Sequence, residues 1–560
     1  MAKTVGIGIQ SFDKVIMNNC FYVDKTPFIQ EWWENQDDVT LIARPRRFGK
    51  TLNMNMIECF FSIKHKDRGR IFENLCIWKD EKYRKLQGSF PVISLSFANI
   101  KETNFENTRR RICQLISEQY LEHYFLLDSD KLVAPEKELI QKNIEQADAV
   151  MALNQLSRYL FKYYEKKVII LLDEYDTPLQ EAYVHGYWKE LTDFIRNLFN
   201  STFKTNPYLE RAIMTGITRV SKESIFSDLN NLEVVTTTSE KYEDSFGFTE
   251  EEVWKALEEY GLYKERQKVK DWYDGFTFGR RQDIYNPWSI LNFLDKKRIS
   301  PYWANTSSNS LIDRLIRRGD RTIKMDLENL LKGGILQTKI DEQIIFNQLD
   351  NRIDAVWSLL LACGYLRVKN YTIDEIWGRA TYDLVLTNRE VRLMFSQMIE
   401  NWFKDFIPEY NDFVKAMLAA DVRSMNIYMN KVAMATISYF DSGKNPSKDS
   451  EPERFYHGFV LGLLVELVDR FTVTSNRESG LGRYDVMLEP HRLEDTAIIM
   501  EFKVRESDRE KTLEDTAIEA LTQIERQNYK AALEARGFIP ARIHTYGFAF
   551  EGKKVLIKEG

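Results

Sequence analysis

Cysteine is scarce. Cys20, Cys59, Cys76, Cys113 and Cys363 are scattered through 560 residues, and no two stand in a C-x-x-C pair. That spacing indicates neither a zinc site nor a disulfide framework, and it suits a reducing compartment. Long apolar runs are lacking too. The longest, near 356–363 and 459–468, are too short to span a bilayer. The opening residues MAKTVGIGIQSF have no signal-peptide core. The expectation is a cytoplasmic protein with no membrane partner. Nor is positive charge in surplus: 78 Lys and Arg face 84 Asp and Glu, for a net charge of −6. This argues against general electrostatic binding of nucleic acid but allows a local basic cleft. The chain shows no repeats and no long block of like charge. What it has is 44% apolar and 13% aromatic residues. These supply ample core for the roughly three or four domains that the length suggests.

The first chemistry-bearing segment is RPRRFGKT at 44–51, directly after the apolar run VTLIA at 39–43. It matches the phosphate-binding pattern G-x-x-x-x-G-K-[ST] except at its first position, where Arg44 replaces glycine. Gly49 would let backbone N–H groups approach phosphate oxygens. Lys50 would reach the β- and γ-phosphates, and the Thr51 hydroxyl would ligate Mg²⁺. Residues 52–63 have helical spacing, so a helix N-terminus would face the anion. A strand-to-helix turn that merely contains GKT is the plainer alternative.

A second segment, VIILLDE at 168–174, follows about 120 residues later. Its apolar run fits a strand buried on both faces of a parallel sheet. Asp173 and Glu174 then stand at the C-terminal edge, where open α/β sheets bind ligands. Asp173 would share Mg²⁺ with Thr51, and Glu174 would orient or deprotonate the attacking water. FPVISLSF at 90–97 and RAIMT at 211–215 read as further strands. After the latter, Thr215 would sense the γ-phosphate and Arg219 would stabilise its charge.

Taken together, GIGIQSF at 6–12, YVDKT at 22–26, RPRRFGKT, LLDEYD at 171–176 and TGITRVSKESIFSDLNNL at 215–232 resemble the AAA-ATPase-like family. That family is common in gut Bacteroidetes and related anaerobes. The resemblance covers about the first 300 residues. It implies that Arg44 is the family's usual residue at this position, and that a C-terminal PD-(D/E)XK nuclease domain is to be looked for.

The tail supplies such a pattern. In IIMEFKV at 498–504, Glu501 and Lys503 share one face of a strand. Upstream, GRYDVML at 482–488 reads as a neighbouring strand that carries Asp485. An acid on one strand and E-x-K on the next form the PD-(D/E)XK constellation. Asp485 and Glu501 would bind Mg²⁺ or Mn²⁺, which would activate water and polarise the scissile phosphate. Lys503 would position that water or stabilise charge on the phosphate. Glu466, on a helix expected over 454–470, is a candidate extra metal contact. Gln523 and Tyr529, on a helix expected over 516–529, are candidate accessory residues. His457 and His491 stand alone, and a lone histidine is more often a hydrogen-bonded surface residue. E-x-K alone also decorates many exposed strands.

The expected fold is α/β. A P-loop NTPase core with a parallel sheet occupies 1–220, a helical or winged-helix-like lid 221–300, and a helical middle region 301–440. A polar linker, DSGKNPSKDSEPE at 441–453, precedes a restriction-endonuclease-like domain at 454–560. WYDGFTFG at 272–279 reads as a hairpin turn. The functional expectation is an ATPase coupled to a metal-dependent nuclease that cleaves DNA in preference to RNA. Two rivals stand beside it. One is a signalling ATPase whose nuclease-like domain only binds nucleic acid. The other is a nuclease with a dead ATPase, in which Arg44 fills the phosphate space. Many such ATPases complete their site with a neighbour's arginine, so a homo-oligomer is also open.

Overall fold

The computed structural model describes residues 2–141, 149–218, 225–226, 229–306, 310–318, 321–341, 349, 353–374, 379–404, 410–440, 467, 470–479, 482–505, 512–551 and 554–560. The chain divides into two compact units, Met1–Leu315 with Gly333–Arg392, and Ile316–Lys332 with Leu393–Gly560. The expected linker at 441–453 lies outside the described residues.

The first unit is built on five parallel strands: β1 (Val39–Ala43), β2 (Val92–Ser96), β3 (Val168–Asp173), β4 (Leu209–Gly216) and β5 (Leu232–Val235). Their order is β2-β3-β4-β1-β5. β1 and β3 are buried along their whole length, which is why both read as unbroken apolar runs rather than alternating ones. β4 lies between β1 and β3, with Ala43 in register with Gly216 and Leu172 with Met214. The loop after β1, the end of β4 and the acids after β3 therefore meet at one edge of the sheet.

After the sheet come the short β6 (Phe248–Thr249), helices Glu250–Glu259 and Arg266–Tyr273, β7 (Phe276–Phe278), β8 (Arg281–Tyr285) and helix Pro287–Lys296. β6, β8 and β7 form an antiparallel sheet. Helix Glu250–Glu259 opens on a capping box between Thr249 and Glu252. Phe248, Val253, Leu257, Tyr273, Tyr285 and Phe293 fill the core of this region. The hairpin expected over 272–279 lies further on. Trp272 and Tyr273 end a helix, and the turn falls at Gly279 and Arg280, between β7 and β8. The middle region is helical in part. It also holds an antiparallel sheet of β9 (Leu336–Thr338), β10 (Leu366–Asp374) and β11 (Arg379–Leu386).

The second unit contains β12 (Phe471–Ser479), β13 (Gly482–Pro490), β14 (Ala497–Val504), helix Leu513–Arg526, β15 (Ile543–Glu551) and β16 (Lys554–Glu559). The strands follow in sequence order, antiparallel except for the parallel pair β14–β15, which the helix connects. Helix Val422–Phe440 covers the β16 edge. Asn426 exchanges both hydrogen bonds with the Ile557 backbone, at 2.9 and 2.8 Å. Asn430 does the same with Val555, at 2.7 and 3.0 Å. One helical turn advances about as far as two strand residues, so i,i+4 asparagines match i,i+2 peptides. The edge is thus closed to further strand pairing. No helix among the described residues is long and apolar enough to cross a membrane.

Candidate functional site

Gly49 takes φ +85° as the N-cap of helix Lys50–Phe61, a conformation that suits glycine. The loop curls around its own lysine, because Lys50 Nζ donates to the Arg44 and Pro45 carbonyls at 2.8 Å each. Burial lowers the Lys50 pKa, while the carboxylates of Glu174, Asp173 and Asp176 oppose that shift. Thr51 Oγ1 donates to Asp173 Oδ2 at 2.7 Å, and Thr215 Oγ1 donates to the other Asp173 oxygen. Burial raises the Asp173 pKa, and the two hydroxyls work against the rise. Glu174 sits at φ +51°, its N–H donating to Thr215 Oγ1 at 3.3 Å and its Oε2 accepting from Thr177 at 3.2 Å. The structure thus gathers Lys50, Thr51, Asp173, Glu174 and Thr215. Arg219 lies outside the described residues.

Arg44 is not among the residues that line the cleft beside Lys50. Its fully buried guanidinium turns behind the loop and donates to the carbonyls of Thr236, Ala43 and Lys241. It also lies 4.5 Å from the Phe278 ring centroid. The rest of the loop is braced in the same manner. Pro45 lies against Gly364, where an added Cβ would come within 2.9 Å of its ring. The Arg46 carbonyl accepts from Asn286 Nδ2 at 3.3 Å and Trp303 Nε1 at 3.0 Å. Arg47, at φ +65°, lays its guanidinium over the Trp288 ring. Phe48 meets Phe276 and Phe278 edge-on. Side chains from distant segments thus fix a loop that elsewhere relies on glycine.

The loop opens into a cleft of ≈ 440 Å³, within the usual range for a small-molecule site. Lys50, Thr51, Glu174 and Gln180 line its polar part, and Phe21, Phe248, Trp288 and Leu291 contribute apolar wall. The donor set fits a magnesium–nucleotide complex: a lysine for phosphate, and a hydroxyl and a carboxylate in contact as hard oxygen ligands.

Two supports escaped the sequence reading. Buried Asp176 accepts from the backbone N–H groups of Ile217 and Thr218, at 2.9 and 3.0 Å, and so pins the turn after β4. Burial raises its pKa, and these N–H groups oppose the rise. LLDEYD contains this residue, but spacing alone gives it no role. Lys25, buried beside the cleft, binds both Glu252 oxygens at 2.9 and 2.8 Å and the Asp244 carbonyl at 2.7 Å. It ties the N-terminal segment to the capping box of helix Glu250–Glu259.

In the second unit, Asp485 on β13 and Glu501 on β14 are neighbours. The Phe502 N–H donates to Asp485 Oδ2 at 2.9 Å, and the Asp485 N–H approaches Glu501 Oε2 at 3.4 Å. Gln523, on helix Leu513–Arg526, donates to Glu501 Oε1 and lies 3.4 Å from the Tyr529 hydroxyl. Burial pushes the Glu501 carboxyl up to about 8, and the Asp485 charge adds to the rise. Lys503, on the same face of β14, opposes it and lies 4.0 Å from Glu519. A cation is what two adjacent carboxylates lack. Among the described residues no cluster of three metal-ligating side chains occurs. Mg²⁺ commonly takes only one or two carboxylates, with water and phosphate completing its shell, so this pair fits it. Glu466 lies outside the described residues.

Residues 6–226 match the family model described as predicted AAA-ATPase, and residues 451–560 match that of the PD-(D/E)XK nuclease superfamily. Over 567 residues the chain is 26% identical to an uncharacterized protein in the vnfD 5' region of Azotobacter chroococcum mcd 1. That similarity takes in 98% of this chain and 96% of the other. The chain therefore joins an AAA-ATPase-like region to a nuclease-superfamily region, as the residue patterns lead one to expect.

Proposed function

We propose that the protein binds and hydrolyses ATP, and that its nucleotide site controls a metal-dependent nuclease acting on DNA in preference to RNA. The observation that carries this reading is the Asp485–Glu501 pair, with Lys503 on the same strand face. Asp485 and Glu501 would hold Mg²⁺ or Mn²⁺, which when bound supplies Lewis acidity and a more acidic water. Gln523 fixes the Glu501 carboxylate from behind. Lys503, on the face of β14 that carries Glu501 and 4.0 Å from Glu519, would position the water or take up charge building on the phosphate.

In the first unit, Lys50 would exchange its two loop carbonyls for β- and γ-phosphate oxygens. Thr51 and Asp173 would together hold Mg²⁺. Glu174 would take the proton of the attacking water, and Thr215 keeps Asp173 oriented. Cleavage of DNA with Mg²⁺ or Mn²⁺, by wild type beside Lys503→Ala, tests the nuclease half. Metal-dependent cleavage lost in the variant is the expected result. If wild type hydrolyses ATP yet cleaves no DNA or RNA with either metal, the domain is a binding module.

A further inference from the structure

Among the described residues the cleft walls carry five cations but only two carboxylates, Glu174 and Glu181. Three of the cations are accounted for. Lys25 is paired with Glu252, Lys50 is held by loop carbonyls, and Arg47 is laid over Trp288. Lys101, after β2, is exposed and carries no ion pair among the described residues, but it lies outside the phosphate loop. Arg46 stands in the phosphate loop itself, four residues before Lys50. Its side chain is exposed in the cleft beside Gly49 and Lys50. Among the described residues it has no carboxylate within ion-pair distance, and its guanidinium makes no hydrogen bond. Its charge also weighs against the Lys50 ammonium.

That repulsion is the smallest of the influences on Lys50, behind burial and the three carboxylates. A polyanion in the cleft would convert that repulsion into attraction. The Arg46 backbone, meanwhile, is fixed by Asn286 and Trp303 through its carbonyl alone. The side chain is therefore free to reach a ligand from an anchored base, and its replacement leaves both anchoring bonds in place.

We infer that Arg46 is a phosphate-contacting cation supplied by the chain itself, engaging the terminal phosphate of a nucleoside triphosphate held by Lys50. The inference rests on the nucleotide-site reading and deepens it. A cation donated to the transferred phosphate stabilises charge there, the role an arginine from a neighbouring subunit fills in other nucleotide hydrolases. Here the nucleotide site would be complete within one chain.

The test uses the full-length protein with Mg·ATP and Mg·ADP. Arg46→Ala should weaken ATP binding about tenfold or more while ADP binding shifts less than about threefold, as expected for loss of one charge-assisted contact. Turnover should fall about 10³-fold, and Arg46→Lys should recover part of it. Wild-type turnover per molecule should not change on dilution. The inference is overturned if Arg46→Ala affects ATP and ADP equally, or leaves both unchanged. It is also overturned if wild-type activity climbs with protein concentration, which would place the missing cation on a second copy. Failure of the underlying reading looks different: wild type and Lys50→Ala would then be alike in binding no nucleotide.

Discussion

Replacing Arg44 by glycine restores the full phosphate-loop pattern and so separates two views of this residue. If Arg44 fills the phosphate space, Arg44→Gly opens the site and improves nucleotide binding. The structure predicts the reverse. The guanidinium is fully buried, and burial pushes its pKa down only to about 9, so it remains charged at neutral pH. It donates to the carbonyls of Thr236, Ala43 and Lys241 and lies over Phe278. Hydrogen bonds from a buried cation contribute about 1.5–3 kcal/mol, and a desolvated ring contact about 1–2. The glycine adds a backbone entropy cost of about 0.5–1 kcal/mol. Arg44 Nε finds no acceptor among the described residues, which holds the total to about 3–4 kcal/mol. Guanidinium chloride unfolding of the full chain, followed by the first unit's tryptophans, measures this loss. Calorimetry with Mg·ATP on the folded variant measures binding, which should weaken as the loop loses its anchor. A variant as stable as wild type that binds ATP more tightly would mean that Arg44 obstructs the site instead of bracing the loop.

Glu390 is buried, and its carboxyl is pushed up to about 7 by desolvation, against hydrogen bonds from Ser289, Trp303 and Ala304. A raised acid stabilises the fold fully below its unfolded value of 4.5, and this stabilisation is lost as pH rises through about 7. The unfolding free energy of the first unit should therefore fall between pH 5 and pH 8, by at most about 1.4 kcal/mol per pH unit. Glu390→Gln, whose amide oxygen can still accept from the Trp303 and Ala304 N–H groups while its NH₂ donates to the Ser289 hydroxyl, should flatten that slope. At the other end of the chain, Asn430→Ala strips the Val555 peptide of both its partners, at a cost of about 1–3 kcal/mol. Amide exchange at Val555 should accelerate, while exchange within β13 should not change. Gln523→Ala should weaken Mn²⁺ binding by about 10–100-fold, since the residue orients Glu501; unchanged calorimetric affinity would remove it from the site.

Several features can be read from the sequence because each is local. β1, β3 and the loop at 44–51 announce themselves through unbroken apolar runs that end in polar punctuation, and Glu501 and Lys503 through the period of a strand. Features that depend on distant partners cannot be read in this manner. Arg44 looks like a defect in a motif until Thr236, Lys241 and Phe278 are seen around it, roughly 200 residues away. Asp176 differs from its neighbours Asp173 and Glu174 only in facing the turn after β4. β10 and β11 fall in a region read as helical because most of β10 is exposed. Its residues from Lys369 to Asp374 show no buried alternation to betray a strand. Asn426 and Asn430 have the spacing of a helix, but nothing nearby shows that they meet a strand edge.

Control of nucleic-acid cleavage by the nucleotide site is what we propose, and it can be tested outright. The most direct measurement is the rate of DNA cleavage with Mg²⁺ or Mn²⁺, with and without ATP, in wild type, Lys50→Ala and Glu174→Gln. If the nucleotide site governs cleavage, ATP changes the wild-type rate, Lys50→Ala abolishes the response, and Glu174→Gln holds the protein in its ATP-bound behaviour. Metal-dependent cleavage at one rate in all three proteins, whether or not ATP is present, would contradict it.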